Sequence, residues 1–224
     1  MSAVGFVGAG AMGAAMALRL VAAGHDVVVH NRTRANAKPV EEAGAAWAGS
    51  PAELAVRCDV VIGCLRDTAA VDAVYRGPDG LLAAARPGHV FVEHGTFLPA
   101  LAREIAAVAA FLDAPVTGGP EGARRGTLAT MVGGPAAALD RVRLVLGAYA
   151  GSVERVGGPG RGLELKLVNQ LLVSVHMAAA GEAIGLLDAL GLDRAVAARV
   201  LTRGWAGSVM LDRAFAQHAA GALT

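Results

Sequence analysis

An apolar run at residues 3–7 (AVGFV) closes on Gly8, and Gly8-Ala9-Gly10-Ala11-Met12-Gly13 then shows the Gly-x-Gly-x-x-Gly spacing. Residues 11–23 read as a helix of Ala, Met and Leu that stops at Gly24, and residues 26–30 (DVVVH) read as a second strand. Strand, helix and strand within about thirty residues make a βαβ unit, which implies parallel strands joined by a right-handed crossover. A chain with 30 glycines produces such strings by chance, so the meaning comes from the setting between a strand and a helix. There Gly8 allows the tight turn, Gly10 lets a pyrophosphate approach bare backbone, and Gly13 lets the helix pack closely on the strand. The amides of Ala11, Met12 and Gly13, at the helix start, are the expected donors to phosphate oxygens.

The alternation continues. A helix is expected near 34–43, an extended piece at 46–47, a helix opened by Ser50-Pro51, and a buried strand at 59–63 (DVVIG). Helix 68–75, strand 89–92, helix 97–109 and strand 111–113 complete a sheet of at least five parallel strands, and 128–133, helix 135–147 and strand 152–156 extend it. The stretch Gly157-Gly158-Pro159-Gly160-Arg161-Gly162 is the sharpest change of composition. After it come a helix at about 163–190, a stop at Gly191, a helix at 193–203 and an Ala-rich tail beyond Trp205. The expected fold is therefore α/β: a Rossmann-type, mostly parallel sheet with helices on both faces over 1–157, followed by an all-α domain over 158–224.

Composition narrows the partners. Twenty basic residues against 19 acidic ones give a net charge of +1, so no cationic surplus points to nucleic acid or an anionic membrane. The segment 163–191 is long enough to cross a bilayer, yet it carries Glu164, Lys166, Asn169, Gln170, His176, Glu182 and Asp188; a buried helix of a soluble protein is the expectation. Cys58 and Cys64 make neither a disulfide framework nor a metal site, and no His, Cys and carboxylate spacing calls for a metal. Two buried thiols suit a reducing cytoplasm.

The end of the second strand discriminates between dinucleotides, because it faces the adenosine ribose. An acid there accepts from the 2′-hydroxyl of NAD. This chain has Asn31-Arg32-Thr33-Arg34 instead. A carboxylate would repel a 2′-phosphate, whereas Arg32 can clasp one with its guanidinium and Thr33 can donate a hydroxyl. NADP(H) is the expected cofactor, with NAD possible; Arg34 is as well read as a solvated surface cation.

Four segments in order, GFVGAGAMG at 5–13, GTFLP at 95–99, DAPVTGGPEGARRGTL at 113–128 and GPGRGLELKLVNQ at 158–170, resemble the motifs of the β-hydroxyacid dehydrogenases, which include 3-hydroxyisobutyrate dehydrogenase, tartronate semialdehyde reductase and L-threonate dehydrogenase. The resemblance implies hydride transfer between the nicotinamide and a small β-hydroxy acid or its semialdehyde or keto acid. It implies that Thr117, Gly118 and Gly119 hold the substrate carboxylate; hydroxyl and bare amides also make an anion nest on physical grounds. Most relatives have Ser where Thr117 stands, so the added methyl group narrows the pocket. The family's catalytic lysine corresponds to Lys166, with Asn169 as the leading substrate-orienting residue and Gln170 as second choice, three and four residues further along the helix. Leu65 and Thr96 complete the expected cofactor contacts, although Glu93-His94-Gly95-Thr96 lacks the serine usual before that threonine. His94 is expected to be structural.

The resemblance also implies a longer helical domain in relatives, so the part in this chain is expected to be truncated, and its apolar face is expected to pack in a homo-oligomer. Alternatives are a non-catalytic dinucleotide binder and an imine reductase-like enzyme; the latter commonly has Asp or Tyr in place of Lys166. The related 6-phosphogluconate dehydrogenase has an acid seven residues after its lysine, where this chain has Val173.

Overall fold

A computed structural model describes residues 3–219. They divide into two compact units, one reaching Lys166 and one starting at Leu167.

The first unit opens with β1 (Val4–Val7), α1 (Ala11–Ala22) and β2 (Val27–His30), and continues through a 3-10 turn (Arg34–Ala37), α2 (Lys38–Glu42), β3 (Ala46–Trp47), α3 (Pro51–Arg57) and β4 (Val60–Gly63). Then follow α4 (Thr68–Arg76), β5 (Val90–Glu93), α5 (Pro99–Ala106), β6 (Phe111–Asp113), β7 (Val116–Thr117), α6 (Gly119–Arg125), β8 (Leu128–Gly133), α7 (Ala136–Leu146) and β9 (Ala150–Gly157). Strands β3-β2-β1-β4-β5-β6 lie side by side and pair in parallel. The sheet then turns: β8 runs antiparallel to β6 and β7, and β9 runs parallel to β8. The expected α/β fold with helices on both faces is present.

Both faces are buried, which explains the unbroken apolar strands. Phe6, Val27, Val29, Ile62 and Leu112 point to one face with Met16 and Leu20 of α1 and Leu139 of α7. Their neighbours Val7, Val28, Val61 and Phe111 point to the other with Leu54, Tyr75 and Leu101 of α3, α4 and α5. The helix starts follow side-chain chemistry. Ser50 Oγ accepts from the Glu53 amide (3.1 Å) to cap α3, and Asp67 accepts from the Ala70 amide (2.8 Å) to cap α4, each worth about 1 kcal/mol.

Several boundaries differ from expectation. The helix expected at 97–109 starts only at Pro99, since proline suits a first turn but disfavours helix before it. The Thr-Gly-Gly segment is not simply a loop: Thr117 ends β7, and α6 starts at Gly119.

The second unit holds most of α8 (Arg161–Ala189), then α9 (Arg194–Leu201) and α10 (Val209–Ala219). Beyond Trp205, where the sequence reads as an Ala-rich tail, lies the third helix, α10; the end of that tail, 220–224, lies outside the described residues. Asp193 caps α9 by accepting from the Ala195 and Val196 amides. A small core of Ala180, Ile184, Leu187, Leu211 and Phe215 holds this unit. One expectation is corrected: α8 is not a buried helix. Leu171 is 63% exposed, and Leu167, Val168, Leu172, Val175 and Met177 are exposed with it. By length and composition alone α8 could span a membrane, as core helices of soluble proteins also could.

Candidate active site

The first crossover leads from β1 to β2, while β4 lies on the other side of β1. A crevice therefore opens where strand order reverses, beyond the carboxyl ends of the strands. It measures about 280 Å³, and Gly8, Gly10, Asn31, Arg32, Thr33 and Leu65 line it. The three motif glycines divide the work. Gly8 sits at φ +96°, and a Cβ on it would fall 2.5 Å from the Cys64 carbonyl oxygen; a Cβ on Gly13 would fall 1.9 Å from the Gly8 carbonyl oxygen. Gly10 caps the start of α1, and a Cβ there would meet nothing within 4 Å. The protein's own packing demands Gly8 and Gly13, whereas the room at Gly10 faces outward. This is the cradle that a pyrophosphate at a helix start requires. Ala11 is exposed and Met12 half-buried at the opening of α1.

The end of β2 is organised around Asn31. Its Oδ1 accepts from the Ala9 amide (2.9 Å) and its Nδ2 donates to the Thr33 carbonyl (2.8 Å). Its side chain thus braces the glycine turn while the residue lines the crevice. Arg34 turns to Glu41 (2.9 Å), with its guanidinium 4.9 Å from the Trp47 ring centre. Arg66 turns to Asp67 (2.8 Å). Arg32 is exposed at the crevice wall, and among the described residues no carboxylate lines it.

Thr96 is exposed on the loop after β5, and the residues before it form a buried polar group. Glu93 Oε1 accepts from the amides of Leu65 (3.0 Å) and Gly95 (2.7 Å), and Tyr75 donates to Oε2 (3.4 Å). Burial pushes the Glu93 carboxyl up to about 7 against those hydrogen bonds. Sequence reasoning missed this role, because only the fold brings together the glycines that make room for it: a Cβ on Gly63 would lie 1.9 Å from Oε2 and one on Gly95 2.8 Å from Oε1. His94 is structural, as expected. Its Nδ1 meets the Ala114 carbonyl (2.6 Å), which can only accept, so Nε2 accepts from the Tyr149 hydroxyl (2.8 Å). Burial lowers its pKa to about 4, so the ring is neutral at pH 7. Burial also pushes the thiols of Cys58 and Cys64 up to about 11 and 12, leaving both protonated.

Lys166, 8% exposed, lies in the first unit. Its Nζ donates to the Val116 carbonyl (2.8 Å), and desolvation lowers its pKa. Val116 immediately precedes Thr117, Gly118 and Gly119. Both glycines have positive φ (+126° and +65°), where a side chain would be strained. The lysine nitrogen is therefore bonded to the residue that leads into the Thr-Gly-Gly segment. Asn169, half-buried, and Gln170, exposed, lie on the part of α8 that belongs to the second unit.

A Rossmann sheet whose glycine turn leaves room at a helix start, with a desolvated lysine close to a turn of positive-φ glycines, is the architecture of a dinucleotide-dependent oxidoreductase. The comparisons with known proteins agree. Residues 3–158 match the family described as the NAD binding domain of 6-phosphogluconate dehydrogenase, and residues 160–222 match the NAD-binding domain of NADP-dependent 3-hydroxyisobutyrate dehydrogenase. The 3-hydroxyisobutyrate dehydrogenase of Pseudomonas aeruginosa is 36% identical, over 95% of this chain and 73% of its own length. The solved structure of Psf3 in complex with NADP+ and 2-OPP is 35% identical with a TM-score of 0.93, covering 97% of this chain and 79% of that one. An imine reductase of Streptomyces aurantiacus is 30% identical with a TM-score of 0.82, over 98% of this chain and 79% of that one. The chain belongs to the NAD(P)-dependent β-hydroxyacid dehydrogenase family.

Proposed function

We propose that this protein interconverts a small β-hydroxy acid and its semialdehyde or keto acid, preferring NADP(H), with Lys166 as general acid and base. The observation that carries this reading is the seat of Lys166: a largely buried ammonium 2.8 Å from the Val116 carbonyl, next to the Thr117-Gly118-Gly119 turn. Gly8, Gly10 and the first amides of α1 hold the pyrophosphate, Leu65 and Thr96 flank the nicotinamide end, and Arg32 with Thr33 takes the 2′-phosphate, in keeping with a crevice that no carboxylate lines among the described residues. When bound, the nicotinamide supplies or accepts the hydride. In reduction, protonated Lys166 donates its proton to the substrate carbonyl oxygen; in oxidation, the neutral amine removes the hydroxyl proton. Desolvation, which lowers the lysine pKa, favours that second role. Thr117 and the Gly118 and Gly119 amides receive the carboxylate, while Asn169, with Gln170 in support, orients the reacting hydroxyl.

Lys166→Met tests the assignment. Consumption of NADPH with a panel of small aldehyde and keto acids should fall by about 10²–10⁴-fold, with NADPH affinity retained; undiminished turnover would remove Lys166 from the chemistry. A second reading, an imine reductase, is favoured by the Streptomyces neighbour. Cyclic imines in the same panel discriminate, since reduction of imines alone would move the assignment there, and cofactor binding with no turnover at all would identify a binder. The exposed apolar residues of α8 support a homo-oligomer, and the two free thiols suit the cytoplasm.

A further inference from the structure

Asp113 ends β6, and its carboxylate is buried. Oδ1 accepts from the Gly160 amide (2.7 Å) and Oδ2 from the Leu163 amide (3.0 Å), both in the turn that opens α8. Amides at a helix start have no acceptor within the helix, so a carboxylate there satisfies donors and meets the positive end of the dipole. The space around it is built for this. A Cβ on Gly133 would lie 2.6 Å from Oδ1 and 2.7 Å from Oδ2, and one on Gly162 would lie 2.9 Å from Oδ2. Gly160 takes φ +86°, where other residues are strained. Three glycines from two segments thus enclose one carboxylate.

The direction of the chain beyond this cap gives it a further consequence. Val116 lies three residues after Asp113, and Lys166 lies three residues after Leu163. The far ends meet where Lys166 Nζ donates to the Val116 carbonyl at 2.8 Å. Strand and helix therefore form a closed ring, pinned at one end by the Asp113 carboxylate and at the other by the lysine nitrogen. Moving the cap moves the first turn of α8 along the strand, and Nζ moves with it.

We propose that Asp113 is the positioning residue of Lys166: by fixing where α8 begins, its carboxylate seats the lysine nitrogen against Val116 and beside Thr117. The catalytic consequence rests on the reading of Lys166 as acid and base; the positional one does not. Asp113→Asn keeps the shape and one acceptor, but turns an NH2 group toward a backbone N–H. Asp113→Ser is the second variant, with a single hydroxyl to accept and no bulk to clash.

Two readouts are needed on the folded protein: kcat with the KM for NADPH, and the rate at which Lys166 is reductively methylated by formaldehyde and cyanoborohydride, mapped by mass spectrometry. In each folded variant kcat should fall by about 10²-fold, the loss that a displacement of about 1 Å can cause. KM for NADPH should stay near wild type, and Lys166 should be methylated several-fold faster, having lost its seat. Wild-type methylation of Lys166 in either folded variant would overturn the proposal, whatever happens to kcat. Faster methylation with undiminished turnover would support the positioning role while refuting Lys166 as the acid and base, so the two failures are distinguishable. Should Asp113→Asn fail to fold, Asp113→Ser decides on the same readouts.

Discussion

Glu93 Oε1 accepts from the amide of Leu65 at 3.0 Å, across the gap between the ends of β5 and β4. One buried carboxyl thereby ties together two loops, one carrying Leu65 and the other Thr96, and its ionisation is a stability term. Its folded pKa of about 7 lies above the ordinary 4.5, so its contribution is fully present below about pH 4.5 and is lost as pH rises through 7. At about 1.4 kcal/mol per pH unit, that loss is about 3 kcal/mol. His94 acts with the opposite sign. Its pKa falls from 6.5 to about 4, so its contribution is present above pH 6.5 and is lost as pH falls toward 4. Denaturant titrations across pH 4–8 should show wild type losing about 3 kcal/mol relative to Glu93→Gln between pH 4.5 and 7.5. His94→Gln should lose the acid-side dependence instead. Parallel pH curves for wild type and Glu93→Gln would contradict a buried, titrating carboxyl.

Gly10 and Gly13 should separate ligand space from packing space. Gly10 has φ −75° with nothing near its Cβ position, so Gly10→Ala should leave stability within about 0.5 kcal/mol. NADPH affinity should fall about tenfold or more, as read by cofactor fluorescence. Gly13→Ala drives a methyl into the Gly8 carbonyl and should cost about 1–3 kcal/mol of stability even without cofactor. Equal thermal shifts for the two variants would mean that Gly10 is not the face offered to phosphate.

Arg32 is exposed at the crevice wall, while Arg34 is held by Glu41. Arg32→Ala should weaken NADPH by about ten- to a hundredfold, the worth of one or two charge-assisted hydrogen bonds, and leave NADH nearly unchanged. Arg34→Ala should spare both. A loss shared by NADPH and NADH would show that Arg32 does not read the 2′-phosphate.

Leu171, 63% exposed on α8, stands in an apolar stretch with Leu167, Leu172 and Val175. If a second copy covers it, light scattering after size exclusion should give a multiple of 22.5 kDa. Leu171→Glu should shift that mass toward the monomer, because a buried interfacial charge without a partner is costly. A wild-type monomer at high micromolar concentration would defeat the oligomer.

Much of the first unit was legible because its signals are local. Apolar runs of four or five residues alternate with helical stretches, Ser50-Pro51 and Gly24 punctuate them, and the Gly8-to-Gly13 turn can be read from spacing and context. Thr117 and Lys166 were legible as family motifs, but the bond from Lys166 to Val116, the residue before Thr117, was not. Glu93 and Asp113 were opaque as functional positions, because an acid at a strand end looks alike whether it faces water or a closed cradle; the glycines around them lie up to about fifty residues away in sequence. The third helix of the second unit was missed because the Ala-rich stretch beyond Trp205 carries a weak stop-and-start pattern.

By itself the sequence determined the alternation of strands and helices, the dinucleotide turn and the cation at the end of β2, since each depends on chemistry within a few residues. Only the tertiary structure decided that Lys166 sits against Val116, that one carboxylate caps α8 and another ties two loops, and that His94 is locked neutral. Those depend on burial and on donors brought together across the fold, and burial is what turns an ordinary side chain into one with a shifted pKa and a fixed direction.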